Sequence, residues 1–217
     1  MDKTPTSNRF AYKPFYRRNL PHIQPVDADL FVTFRLADSL PTHVLQVMRE
    51  ERQWRQEILD RNKHRSVPPS NELMRRHFAI MEKYLDSATT GPKWLLDSQV
   101  ADIVHSALLY RDGKMYRLDA FSIMPNHVHV VFRSLTRGEL PISLSSIMHS
   151  LKRNTAKQAN SVLDRLGKFW AHESFDHYIR DANERKRIIH YTLQNPVKAG
   201  LVKCWQDWPW NYVRELW

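Results

Sequence analysis

Cysteine is almost missing from this chain: Cys204 is the single thiol among 217 residues. That excludes an intrachain disulfide and a thiolate zinc cluster. No apolar run approaches the roughly 20 residues that a membrane-spanning helix needs. No internal repeat or low-complexity tract appears either. The opening stretch, MDKTPTSNRF, lacks the apolar core of a signal peptide, so a cytoplasmic protein is expected. Acidic residues are in deficit, with 23 Asp and Glu against 33 Lys and Arg, for a formal charge of +10 and a pI near 9.8. The excess of positive charge favours polyanionic partners, nucleic acid first and a membrane surface second.

What is present describes an ordinary globular protein, 42% hydrophobic and 26% charged. The length suits one sizeable core with room for an insertion. Residues 1–26 read as an irregular basic arm in which Arg9, Lys13, Arg17 and Arg18 alternate with Phe10, Tyr12, Phe15 and Tyr16. Such an arm serves for phosphate contact and base stacking, or equally as a solvated tail whose aromatics lie on the body. LFVTFRL at 30–36 is rich in branched and aromatic residues and predicts the first strand. Two helices follow within 42–87, separated by the SVPPS break at 66–70, with Ser70 able to cap the second. A helix over about 97–110 and strands at 116–124 and 127–133 come next, the strands joined through Pro125-Asn126. Then come a helix over about 143–160, a strand at 175–180 and a helix over 181–195. Asp181 and Glu184 are spaced as a capping box for the last helix, and Pro196 is expected to end it. The tail DWPWNYVRELW holds four aromatic residues and should pack on the body.

With the helices of 42–87 set aside, the order is βαββαβ plus one helix. The predicted fold is therefore α+β: a ferredoxin-like antiparallel sheet with an added C-terminal helix and a two-helix insertion after the first strand. One domain spans 1–217.

Two places can carry chemistry. In FSIMPNHVHVVFR at 121–133, a strand puts His127 and His129 on one face, continued by Val131 and Arg133. Val128, Val130 and Phe132 fill the other. Two adjacent imidazoles on a rigid strand can hold one divalent ion, or can simply be half-buried strand histidines. On the last helix, Tyr191 and Asn195 are four apart and share a face, with Arg187 one turn earlier. Ile188, Ile189, Thr192 and Leu193 make its apolar side. A tyrosine at that margin can be a nucleophile, or a boundary residue with its ring buried and its hydroxyl wet.

HVH after an apolar strand and Pro-Asn, with HYTLQNPVKAGLV at 190–202, resembles the REP-associated tyrosine transposases of the single-tyrosine HUH nuclease superfamily. LPHIQP at 20–25, FVTFRLADSLP at 31–41 and ESFDHYIRD at 173–181 resemble it too. HVH alone is a weak signal; with Tyr-x-x-x-Asn-Pro downstream it is a strong one. The resemblance implies that His127, His129 and Asn195 bind a divalent metal, Mg²⁺ or Mn²⁺, and that Tyr191 is the nucleophile. It implies cleavage and rejoining of single-stranded DNA at palindromic hairpins through a 5′-phosphotyrosine, by a monomer or homodimer. Arg17, Arg18, Lys152, Arg153, Lys157, Arg180, Arg187 and Lys198 are the candidates for contacts to DNA. Tyr178 is the rival nucleophile, on a strand and without a downstream Asn; Asp176, His177 and His190 are possible auxiliary groups. Two other functions stay open: a catalytically silent hairpin-binding protein of the same descent, and a metal hydrolase using an activated water.

Overall fold

A five-stranded antiparallel sheet forms the centre of the molecule, in a computed structural model that describes residues 11–17, 21–61 and 71–215. A small hairpin, β1 (Phe15–Arg17) with β2 (Pro21–Ile23), precedes it. The arm expected to be irregular is therefore paired over these residues. Just past the hairpin, Gln24 ties the chain to the body, because its side-chain oxygen accepts from the Leu144 amide at 3.0 Å.

The sheet contains β3 (Asp29–Leu36), β4 (Tyr116–Ile123), β5 (His127–Ser134), β8 (Trp170–Ile179) and β9 (Asn211–Val213), in the order β8-β3-β5-β4-β9. Its first four members have the ferredoxin-like arrangement that the element order predicts, and β9 extends the β4 edge. The short β6 (Thr136–Arg137) and β7 (Leu140–Pro141) pair with each other outside this sheet. Among helices, α1 (Thr42–Arg61) and α2 (Asn71–Ser87) lie in the chain between β3 and α3 (Ser98–Arg111). Then α4 (Leu144–Val162) joins β7 to β8, and α5 (Ala182–Lys198) follows β8. Ser70 lies outside the described residues.

Alternation along the strands sends apolar side chains to both faces, and each face has its own core. Val128, Val130 and Phe132 of β5 pack with Val100, Val104 and Leu108 of α3 and with Leu144, Ile147 and Leu151 of α4. On the opposite face, Phe31, Val131, Phe175 and Ile179 meet Met81 and Leu85 of α2 and Ile189 and Leu193 of α5. Fully burying a side chain of this size contributes about 1.5–3 kcal/mol, so α2 and α5 are held firmly over the face that carries the histidines.

Two boundaries differ from expectation. Strand β8 starts at Trp170, five residues before the predicted strand, because Leu36 pairs with Trp170 across a bulge in the β3 ladder. Helix α5 does not stop at Asn195; it runs through Pro196 to Lys198. Proline removes one amide donor but the next turn still closes, since Ala199 N–H reaches Asn195 O at 2.9 Å. The end comes at Gly200, whose φ of +70° is left-handed. Gly200 N–H bonds Val197 O and Leu201 N–H bonds Pro196 O, the paired bonds of a Schellman motif.

The aromatic tail packs on the body as expected. Trp208 Nε1 donates to Ile123 O at 3.0 Å, and Tyr212 stacks on Phe121 with ring centroids 5.3 Å apart. Trp217 lies outside the described residues.

Candidate active site

The β4–β5 turn sets the position of the first histidine. Met124 N–H bonds His127 O at 2.9 Å across Pro125-Asn126, so β5 begins at His127 itself. Asn126 is fully buried; its Nδ2 donates to Leu85 O at 3.2 Å, pinning the turn to the last turns of α2. Its Oδ1 lies 2.7 Å from His127 Nδ1. An amide oxygen can only accept, so Nδ1 carries the proton and Nε2 is left bare. His129 is held from β3, where Thr33 Oγ1 lies 2.8 Å from its Nδ1. Phe31 stacks on the same ring at 5.5 Å. These outer contacts fix ring orientation in the way that partners of metal-binding histidines do.

Both rings are wholly buried and their Nε2 atoms are 2.9 Å apart. The bare His127 Nε2 therefore faces a neighbouring ring nitrogen, a contact that is favourable only with a proton on His129 Nε2 or a cation beside the pair. Burial, and then the charge of His129, depress the His127 pKa to about 3, with Glu82 opposing.

Glu82 of α2 completes the cluster. Its Oε2 is 3.3 Å from His129 Nε2, and it accepts a hydrogen bond from the Tyr191 hydroxyl. Glu82, His127 and His129 are all buried, and their ligand atoms lie within 4.8 Å of one another. Burial raises the Glu82 carboxyl, but the charge and hydrogen bonding of His129, then His127 and Tyr191, outweigh it and hold the pKa at about 2. Its Oε1 is buried with no partner among the described residues. One turn on, Asp86 Oδ1 is 4.0 Å from His127 Nε2 and also buried without a hydrogen bond among these residues. Burial and the neighbouring Glu82 push Asp86 up to about 6. Two imidazoles and a carboxylate suit a divalent transition ion, and the unpartnered oxygen atoms are what such an ion would satisfy.

Tyr191 is half-buried, its ring 5.8 Å from that of His129 and 6.0 Å from that of Phe31. It therefore lies against His129 of its own chain. Burial raises its pKa far above the ordinary phenol value, and the negative charge of Glu82 adds to that. Lys198 stands over the ring, Nζ 4.3 Å from the centroid. The last turn of α5, beyond Pro196, supplies this cation. Asn195 is fully buried; its Nδ2 donates to Tyr191 O at 2.9 Å, and its Oδ1 has no partner among the described residues.

The other sequence candidates divide. Arg153, Lys157, Arg187 and Lys198 are exposed and able to meet a polyanion. Lys152 is committed elsewhere: its ammonium group donates to the carbonyls of Ala171, His172 and Glu173, tying α4 to β8. Its position off the apolar stripe does not free it, because the carbonyls of β8 lie within its reach. Arg180 is partly engaged, with Nη2 2.8 Å from Glu184 Oε1, though its side chain stays 46% exposed. Arg17 falls on β1, where no side chain is described, and Arg18 lies outside the described residues. Tyr178 points to the opposite face, packed against the α3–α4 core. His177 bonds Glu184 at 3.1 Å, Asp176 is buried, and His190 is exposed.

Sequence reasoning missed Glu82, Asp86, Thr33 and Asn126. The first two left one trace: an acidic pair four apart on a helix of a basic chain, beside the apolar stripe of Phe78, Met81 and Leu85.

Fold and site together define a ferredoxin-like domain with a paired-histidine centre and an apposed helical tyrosine. A family model described as "Transposase IS200 like" matches residues 71–202, more than half of the chain, and the chain belongs to that family. The match starts at α2, so the helix carrying Glu82 lies inside it. The chain is 26% identical over 117 residues to a REP-associated tyrosine transposase of Escherichia coli K12, covering 54% of this chain and 66% of that protein. A putative REP-associated tyrosine transposase of Haemophilus influenzae is 24% identical over 98 residues, covering 42% of this chain and 56% of that protein. The matches thus span less than two thirds of either relative. A solved REP-associated tyrosine transposase bound to a REP hairpin has the same fold, with a TM-score of 0.51 at 19% identity over 90% of this chain and 80% of that one.

Proposed function

We propose that this chain is a metal-dependent transposase or nickase that cleaves and rejoins single-stranded DNA beside palindromic hairpins through a tyrosine–DNA intermediate. One observation carries the reading: the Tyr191 hydroxyl is hydrogen-bonded to Glu82, whose carboxylate sits 3.3 Å from His129 in the same chain. A nucleophile and a candidate metal centre thereby share one carboxylate oxygen. His127, His129 and Glu82 would hold Mg²⁺ or Mn²⁺, with the buried Asn195 Oδ1 one helical turn from Tyr191 as a further oxygen donor. The ion would polarise the scissile phosphate and stabilise charge developing on it.

The protein's own part is position and proton control. Tyr191 Oη attacks phosphorus, the phenol gives up its proton, a Tyr–O–P bond forms as the P–O3′ bond breaks, and the departing 3′-oxygen takes up a proton. The strand that leaves ends in a 3′-hydroxyl and the other remains joined as a 5′-phosphotyrosine. Attack by another 3′-hydroxyl reverses the step, so the phosphodiester is conserved without a nucleotide cofactor. The phenol of the resting protein resists ionisation, so the DNA-bound state must lower that cost. Lys198 over the ring is the cation placed to help. Hairpin DNA as the target is supported by the names of the relatives, and a polyanionic partner by the +10 charge. Monomer and homodimer both accommodate a site built from one chain.

The test incubates the protein with Mn²⁺ and a labelled single-stranded palindrome and looks for an adduct that survives denaturation. Tyr191→Phe is expected to abolish the adduct and leave hairpin binding within about twofold. An adduct that persists in Tyr191→Phe overturns the assignment, and one lost only in Tyr178→Phe moves it to that residue.

A further inference from the structure

A cavity of about 210 Å³ lies beside the Glu82–His127–His129 cluster, between β3, β8 and helices α1 and α2, and the tyrosine chemistry leaves it unused. Thr33 is part of its wall, and the Thr33 hydroxyl is the group that holds His129 Nδ1. The cavity and the histidine site therefore share a side chain. Leu45, Met48, Met81 and Phe175 make its apolar lining, Arg35 and Arg49 bring positive charge, and Glu173 brings one carboxylate.

Arg35 stands at the cavity wall with only weak partners among the described residues. On β3 it pairs with His127 in register, and alternation places it on the face that carries Phe31 and Thr33. It is half-buried, yet no carboxylate of the described residues lies within ion-pairing distance. Both of its hydrogen bonds come from Nη1, to Leu36 O and Ser39 Oγ, each at a long 3.3 Å. Burial lowers its pKa to about 10, with Asp38 opposing. A desolvated guanidinium without an anion is costly, and a phosphodiester is a ligand that fits its fork.

Size narrows the occupant. Pockets for drug-sized ligands run roughly 300–1,000 Å³, so this one suits a single ring system. Apolar walls with a cationic residue at one side match a nucleobase and its phosphate. We infer that this cavity is a nucleotide subsite, taking one base of the single-stranded DNA beside the scissile phosphate while Arg35 binds a backbone phosphate. Its helical side, α1 and α2, thereby acquires a role in reading the strand next to the cleavage point. The inference rests on the proposed action on single-stranded DNA.

The experiment measures binding, with chemistry blocked. Tyr191→Phe protein is titrated, by fluorescence anisotropy, into labelled single strands carrying one abasic site at each position around the cleavage point. One position is expected to cost about tenfold in affinity. Adding Leu45→Trp, which fills the cavity, should weaken the intact strand and remove the penalty at that position alone. Arg35→Gln should lower the log–log salt slope by about 0.7, the contribution of one phosphate on a single strand, and Arg35→Lys should restore it. Thermal unfolding of each variant establishes that it is folded. A flat abasic scan, an equal penalty with and without Leu45→Trp, or a salt slope unchanged by Arg35→Gln overturns the subsite while leaving the nuclease reading in place. Failure of the Tyr191→Phe protein to bind any single strand overturns both.

Discussion

At the scale of the residue, Glu82 decides most. Its Oε2 accepts from the Tyr191 hydroxyl and lies against His129, so the same atom serves the nucleophile and the candidate ion. Mn²⁺ binding to the folded state should raise the unfolding temperature, since a ligand at a hundred times its Kd adds about 2.7 kcal/mol. Differential scanning fluorimetry with Mn²⁺ and then EDTA reads this directly: the shift is expected in the wild type and lost in Glu82→Gln. Thr33→Val tests the support behind the site. Without the hydroxyl that orients His129 Nδ1, Mn²⁺ affinity should fall roughly 10- to 100-fold, with the apo unfolding temperature little changed. An undiminished Mn²⁺ affinity in Thr33→Val would mean that packing against Phe31 alone holds the ring.

At the scale of the element, α5 is fixed at both ends, which sets the height of Tyr191 over the sheet. At its start, Asp181 Oδ1 accepts from Glu184 N–H at 2.8 Å. Glu184 reaches back one residue beyond the usual capping-box partner, to Arg180 N–H at 2.8 Å, and also binds the Arg180 guanidinium and His177. The Arg180 hydrogen bonds are the first cause that holds the Glu184 pKa at about 2, below the model-peptide range. A carboxyl depressed in the folded state stabilises it above the unfolded pKa, and that contribution fades as pH falls towards 2. The urea midpoint of the wild type should therefore drop more between pH 5 and pH 2 than that of Glu184→Gln. At the other end, Gly200→Ala places a Cβ on a residue with φ of +70°. It should cost about 1–2 kcal/mol, measurable by urea unfolding, whereas Ala199, already helical at the cap, carries no such demand.

At the scale of the molecule, charge and architecture meet on opposite terms. The +10 charge is spread over many side chains, and the fold chooses which are free to bind. Five phosphates engaged on single-stranded DNA would give a log–log salt slope of about −3.5. Arg153→Ala and Lys157→Ala should each reduce it by about 0.7. Lys152→Ala should leave the slope alone and lower stability instead, because its ammonium caps three carbonyls at the β8 edge.

The ferredoxin-like order, the HVH strand with its valines turned to the core and the Tyr191–Asn195 face were all legible in local patterns. Strand alternation and helix spacing act over a few residues, and turn chemistry such as Pro125-Asn126 acts over fewer. Helix α5 shows where local rules stop: proline is a poor helix residue by itself, yet packing of Ile189 and Leu193 and closure at Gly200 carry the helix past Pro196. The acidic member of the site was not legible, because Glu82 comes from a segment 45 residues before His127 that looks like a separate helical insertion. Long-range contacts such as the Asn126–Leu85 bond and the shared core over Phe31 and Val131 bring α2 down onto the histidines. The sequence by itself determined which residues could do chemistry and which faces they share within each element. The tertiary structure decided which elements meet, since a carboxylate, two imidazoles and a phenol from three distant segments converge only when long-range packing outweighs the entropy of bringing them together.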